Sequence, residues 1–237
     1  MASVTPAPPT STSDAIIATT TTPADTTTAA APAESNTSGG DLTLEVLQRS
    51  INMEVNADCK NPQDHQAECR TPAQILDPLN ANFAQYGITT VGQKAALISI
   101  MDFESGSFRY STNLNVDHAG QGTFSQMMFP HIKEYVQSIP ELAAPYAALT
   151  EGVTDLDTNK EVMNKVLALV TVDKYNVGAA CWYLAKSAGC GAKTLKVLEA
   201  TTEEAYRTYL TECINTTVTD DRISGWKRTM AGLTGAQ

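Results

Sequence analysis

The chain has 237 residues and a formal net charge of −10, from 16 Lys and Arg against 26 Asp and Glu. No Lys/Arg cluster supplies a footprint for phosphates, so nucleic acid is excluded as an expected partner and anionic surfaces are disfavoured. No apolar run is long enough to span a bilayer.

Residues 1–40 are built from Thr, Ala, Pro and Ser, with runs such as Thr19-Thr20-Thr21-Thr22. Apart from Ile16 and Ile17 they offer almost no large apolar side chain to offset ordering entropy. The segment reads as a disordered tail, suited to an O-glycosylated stalk or spacer. Met1 opens directly on polar residues, without an apolar signal core. The expectation is a secreted protein whose leader has been removed, and the sequons Asn36-Thr37-Ser38 and Asn215-Thr216-Thr217 are compatible with that. Residues 41–235 suffice for one domain with a good core, expected to be monomeric.

Within that domain, Asp41 or Thr43 caps a first helix carrying Leu44, Val46, Leu47 and Ile51. Cys59 and Cys69 bracket a polar loop with Pro62, Asp64 and His65, a natural place for a local disulfide. Thr71-Pro72-Ala73 reads as an N-cap followed by proline at the first helical position, and Gly87 stops that helix. Thr89 or Thr90 begins a helix that is apolar nearly all round and therefore deeply buried. Its stripe of Leu97, Ile100 and Met101 continues at Glu104, on the same helix face. A carboxyl there faces the interior or a cleft. Desolvation favours its protonated form, as a general acid near neutral pH requires. Residues 105–129 form an irregular stretch rich in Gly, Ser, Thr and Asn, the kind of loop that lines a site.

Thr158 with Glu161 makes a capping box ahead of another helix, and residues 173–187 form one apolar enough to be central. Cys190 follows it and Cys213 lies in the next patterned segment, so a bridge there staples two consecutive helices. Cys181 is left as a buried thiol. No close pair of Cys or His recurs at zinc spacing, and neither a metal nor a cofactor is expected. Thr201 with Glu204 caps the Tyr206, Tyr209, Leu210 and Cys213 face, and a last helix covers about 220–231. Strand patterning is nearly absent, so the fold class is all-α, with seven or eight helices.

The order of three motifs then carries a resemblance. An apolar helix ends in Phe103-Glu104-Ser105-Gly106-Ser107-Phe108. The stretch Gly120-Gln121-Gly122-Thr123-Phe124-Ser125-Gln126-Met127-Met128-Phe129-Pro130 follows, and then Asn176-Val177-Gly178-Ala179-Ala180-Cys181-Trp182-Tyr183-Leu184. This resembles the lysozyme-like superfamily, especially lytic transglycosylases and goose-type lysozymes. Most of residues 42–230 also looks like a group of secreted fungal proteins of unassigned activity, including Thr219-Asp220-Asp221-Arg222 and Trp226 at the last helix. The Gln126 stretch carries extra residues relative to the family form, and no separate late Ala-Tyr-Asn-Ala-Gly match follows Leu184.

The resemblance implies cleavage of a β-1,4-linked amino-sugar polymer (peptidoglycan, chitin or chitosan) with Glu104 as the proton donor. Gln126 is implied to line the sugar cleft. Tyr175 and Asn176 match either the family's central-helix Asn or the late Tyr-Asn pair that touches substrate in transglycosylases, with nothing in the sequence to decide between them. A hydrolase needs a second carboxylate, whereas a transglycosylase closes an anhydro ring with the substrate's own hydroxyl. Among Asp102, Asp117, Asp155 and Asp173, Asp117 is the best placed, while Asp102, two residues from Glu104 on the helix, points elsewhere. His65, His118 and His131 lie in no nucleophile-elbow context, which disfavours a Ser or Cys hydrolase. The acidic balance tilts from peptidoglycan towards chitin or chitosan. The alternative is a non-catalytic cell-wall or glycan-binding protein on the same scaffold.

Overall fold

The computed structural model describes residues 39–60 and 67–236. The tail read over residues 1–40 falls outside the described residues as far as Ser38, Asn36 included, and so do Pro62, Asp64 and His65. The described residues are helical, with only two isolated β-bridges, Thr112 to Gly122 and Gly122 to Met127.

The helices begin where side-chain oxygens satisfy the orphan amides of a first turn. Thr43 caps α1 (Leu44–Ser50) by accepting from the Val46 amide. A four-residue α2 (Met53–Asn56) follows. Thr71 and Gln74 form a capping box on α3 (Pro72–Tyr86), which ends at Gly87 with φ 68°. Thr90 and Gln93 do the same for α4 (Val91–Glu104). Then come α5 (Phe129–Gln137), α6 (Ala143–Thr150) and α7 (Lys160–Ala168). The cap of α7 is Asn159, one residue beyond the expected Thr158. The single helix expected over 173–187 divides into α8 (Asp173–Asn176) and α9 (Gly178–Lys186). Next are α10 (Ala192–Leu198) and α11 (Glu203–Thr208), the latter capped by Thr202 because Thr201 sits at φ 53°. A π-helical turn, Tyr209–Cys213, extends α11, and α12 (Asp220–Thr234) closes the described chain. The expected seven or eight helices become twelve α-helical segments among the described residues, because short pieces flank the long ones.

α4 is the axis of the larger core. Every residue from Gly92 to Asp102 is buried, and α12 lies along it, with α1 behind α12. Leu97, Ile98, Ile100 and Met101 are each at most 2 % exposed. Burying each such side chain contributes about 1.5–3 kcal/mol. A second core gathers α5 and α7 around Ile132, Tyr135, Val166 and Trp182. The loop between α4 and α5 runs across both cores and forms one wall of the site.

That loop is held by buried polar groups. Glu68 accepts from the amides of Ser111 (2.8 Å) and Thr112 (3.0 Å). Asn176, 1 % exposed, accepts from the Phe124 amide at 2.8 Å and donates to the Thr171 carbonyl at 3.2 Å. At Gly122 the backbone passes so close to its neighbours that a Cβ would stand 2.4 Å from the Ser111 carbonyl. Two disulfides complete the scaffold, Cys59–Cys69 and Cys190–Cys213. The second ties the end of α9 to the π-helical turn.

Two outcomes are expected. Replacing Cys190 and Cys213 together by serine lowers unfolding stability in urea by about 3 kcal/mol, from the chain entropy that a loop of this length releases. Asn176→Ala strands the Phe124 amide and costs about 1–3 kcal/mol, read in the same titration.

Candidate functional site

Glu104 is the last residue of α4, where the buried axis reaches the surface. The chain then turns sharply. Gly106, Ser107 and Phe108 are all left-handed (φ 58°, 63° and 62°), and the buried Ser105 hydroxyl donates to Met101 and accepts from the Phe108 amide. Among the described residues six non-glycine positions have positive φ. Gln126 and Asn215 line the same hollow as Glu104, Ser107 and Phe108 lie in the turn just after it, and Thr123 is in the loop that carries Gln126. Such conformations cost on the order of 1–3 kcal/mol each, and they concentrate where function constrains the backbone.

Two depressions meet at this point. The larger, about 340 Å³, is lined by Glu104, Gln126, Met128, His131, Tyr183, Tyr209 and Asn215, among others. The second, about 290 Å³, is lined by Tyr110, Thr112, Asn113, Leu114 and Gln121, and again by Glu104 and Gln126. Glu104 and Gln126 thus form the ridge common to both hollows. Among the described residues Glu104 is the single carboxylate lining either of them. The larger volume falls in the range of about 300–1,000 Å³ usual for small-ligand clefts.

The electrostatics differ from the sequence expectation. The Glu104 side chain, 24 % exposed, pairs at 2.7 Å with the Arg222 guanidinium from the first turn of α12. Arg222 is only 11 % exposed and lies 4.3 Å over the Phe103 ring, with its Nη1 unpartnered. Nothing in the sequence points to this partner, which the last helix brings to the carboxyl from 118 positions away.

Gln126 shares the ridge with Glu104, and its amide nitrogen donates to the carbonyls of Tyr110 and Thr123, both at 3.3 Å. Its side-chain oxygen accepts nothing among the described residues and is left for a donor in the cleft. Tyr209 presents its phenol from the π-helical turn. It is only 1 % exposed, and burial holds the phenol well above its ordinary range. His131 lines the cleft edge-on to Tyr183, ring centroids 4.9 Å apart.

The remaining expected residues lie elsewhere. Asn176 is spent on the loop and reaches neither hollow. Tyr175 packs beside Lys174, whose ammonium is 4.8 Å from its ring, and its carbonyl accepts from Tyr135. Asp117 is exposed and pairs with Lys160 at 3.1 Å, so it offers no second carboxylate to the cleft. Asp173 pairs with Arg70, and Asp155 is exposed. Asp102 does point away from Glu104: it is buried, accepts from the Asn52 amide and pairs with Arg228 at 2.7 Å. Sequence reasoning missed Arg222, Tyr209 and Tyr183 as neighbours of Glu104. Among the described residues no cluster of three or more His, Cys, Asp or Glu is placed to hold a metal ion. No helix among them is long and apolar enough to cross a membrane.

No protein-family model matches the chain, and no solved structure matches it. A bifunctional dioxygenase–epoxy alcohol synthase of Fusarium oxysporum (strain Fo5176) is 31% identical over 138 residues, covering 57% of this chain. The chain spans about a tenth of that protein's length.

Proposed function

We propose that the protein cleaves a β-1,4-linked amino-sugar polymer outside the cell, on a lysozyme-like scaffold, with Glu104 as the group that protonates the leaving oxygen. The observation that carries this reading is the position of Glu104 and Gln126 on a ridge with a hollow on each side. A polymer lying across both hollows puts a linkage, rather than a chain end, against the carboxyl. Amides, hydroxyls and aromatic rings share the lining with the apolar Ile100, Met127, Met128, Ala180, Ile214 and Leu114, a mixture that suits an uncharged sugar chain. With one carboxylate in the cleft, the substrate's own hydroxyl or N-acetyl group is the nucleophile that fits, since a two-carboxylate hydrolase needs its second acid about 5–9.5 Å away.

The Arg222–Glu104 ion pair is the observation that favours a second reading, a glycan-binding protein without turnover. In it the pair stays closed and meets the sugar hydroxyls as a unit. The dioxygenase activity in the relative's name stays with that protein, most of which lies outside the match.

Product analysis by mass spectrometry on peptidoglycan, chitin and chitosan separates the readings. Cleavage is expected to give anhydro-ended fragments where a substrate hydroxyl attacks and ordinary reducing ends where the N-acetyl group does, and Glu104→Gln to lower their release by about 100-fold or more. Binding without turnover gives no fragments but retention on one insoluble polymer that survives Glu104→Gln and weakens severalfold in Gln126→Ala. Absence of both fragments and retention on all three polymers rejects both readings.

A further inference from the structure

Asn215 stands at the rim of the cleft in the sequon Asn215-Thr216-Thr217. The π-helical turn fixes it there. The Ile214 amide donates to the Tyr209 carbonyl at 3.0 Å and the Thr216 amide to the Leu210 carbonyl at 2.9 Å, so both neighbours are pinned. Asn215 between them is left-handed (φ 56°) and exposed. No hydrogen bond among the described residues ties up its side-chain amide. The left-handed backbone explains an asparagine, which tolerates that region better than most residues. It does not explain Thr217, which is exposed, hydrogen-bonds nothing through its side chain among the described residues, and completes the acceptor signal. The neighbouring Cys190–Cys213 bridge suits an oxidising compartment, where such acceptors are modified.

We propose that Asn215 is an N-glycan acceptor whose attached sugar chain stands in the mouth of the Glu104 cleft and restricts what enters it. The donor is a polyprenyl-diphosphate-linked oligosaccharide. The Asn215 Nδ2–C1 bond forms as the C1–oxygen bond to diphosphate breaks; the lipid diphosphate departs, and one amide proton passes to a base of the transferase. The first two sugars of such chains are β-1,4-linked N-acetylglucosamines. Competition between them and substrate therefore rests on the glycan-cleaving reading above, whereas the shielding of the cleft does not. Tethering at the rim gives them a high effective concentration without new contacts.

The test uses the full chain secreted from a eukaryotic host behind a host leader, in an Asn36→Gln background so that one sequon remains. Thr217→Ala removes the signal without disturbing the Asn215 backbone, and Thr217→Ser keeps it. Glycopeptide mass spectrometry is expected to find a sugar chain on Asn215 in the parent and in Thr217→Ser, and none in Thr217→Ala. Peroxide oxidation of Met128, half exposed in the same cleft, is expected to run severalfold slower in the glycosylated forms. An unmodified Asn215 in the secreted parent, or equal Met128 oxidation with and without the glycan, overturns the proposal. A shielded Met128 with neither form cleaving or retaining any amino-sugar polymer upholds it and counts against the proposed function alone.

Discussion

The site depends on one constraint: α4 is enclosed for almost its whole length, and each of its two carboxylates is answered by an arginine of α12. Arg228 meets Asp102 in the interior and Arg222 meets Glu104 at the exit. Leaving the Asp102 carboxylate unanswered in so dry a setting would cost several kcal/mol. The packing of α12 on α4 therefore fixes not only the core but also the orientation of the one acid in the cleft. A structural role for Arg222 and a role in setting the behaviour of Glu104 are the same contact.

Around that acid the backbone is held in conformations it would not choose. Phe108 and Thr123 are bulky or β-branched residues in the left-handed region, and each is buried. The Phe108 amide donates to Ser105 inside the turn and the Thr123 amide to the Ser111 carbonyl. Distant parts of the chain brace their neighbours: Glu68, beside the first disulfide, holds Ser111 and Thr112, and Asn176, at the end of α8, holds Phe124. A loop braced from several directions keeps its shape when a ligand arrives, and pre-organisation of this kind lowers the cost of binding.

The sequence made the helical class, most of the caps and the surfacing of Glu104 legible, because each is written in residues a few positions apart. Thr90 with Gln93, and Gly87 after Tyr86, are local patterns with local causes. What escaped was long-range. Arg222 could be placed at the start of the last helix, but nothing nearby says that its guanidinium lies over Phe103 and meets Glu104. Asn176 shows the converse. A buried asparagine looks the same in sequence whether it faces a sugar or a loop amide, and the Phe124 amide decides the matter. The break between α8 and α9 also has a distant cause, since a Cβ at Gly178 would stand 2.3 Å from the Asn82 side-chain oxygen. That helix start is shaped by α3 rather than by its own propensity.

Cys181 makes the odd sulfur in a chain with two bridges. It is fully enclosed in α9, and burial pushes its thiol far above the usual range, so it is neither ionised nor reachable while the fold is intact. Thiol–disulfide shuffling needs a thiolate that can approach a bridge. The native protein is therefore protected from scrambling its own cystines, and that protection vanishes once α9 opens. Alkylation of this one sulfhydryl would report global opening as it happens, a clock built into the centre of the molecule.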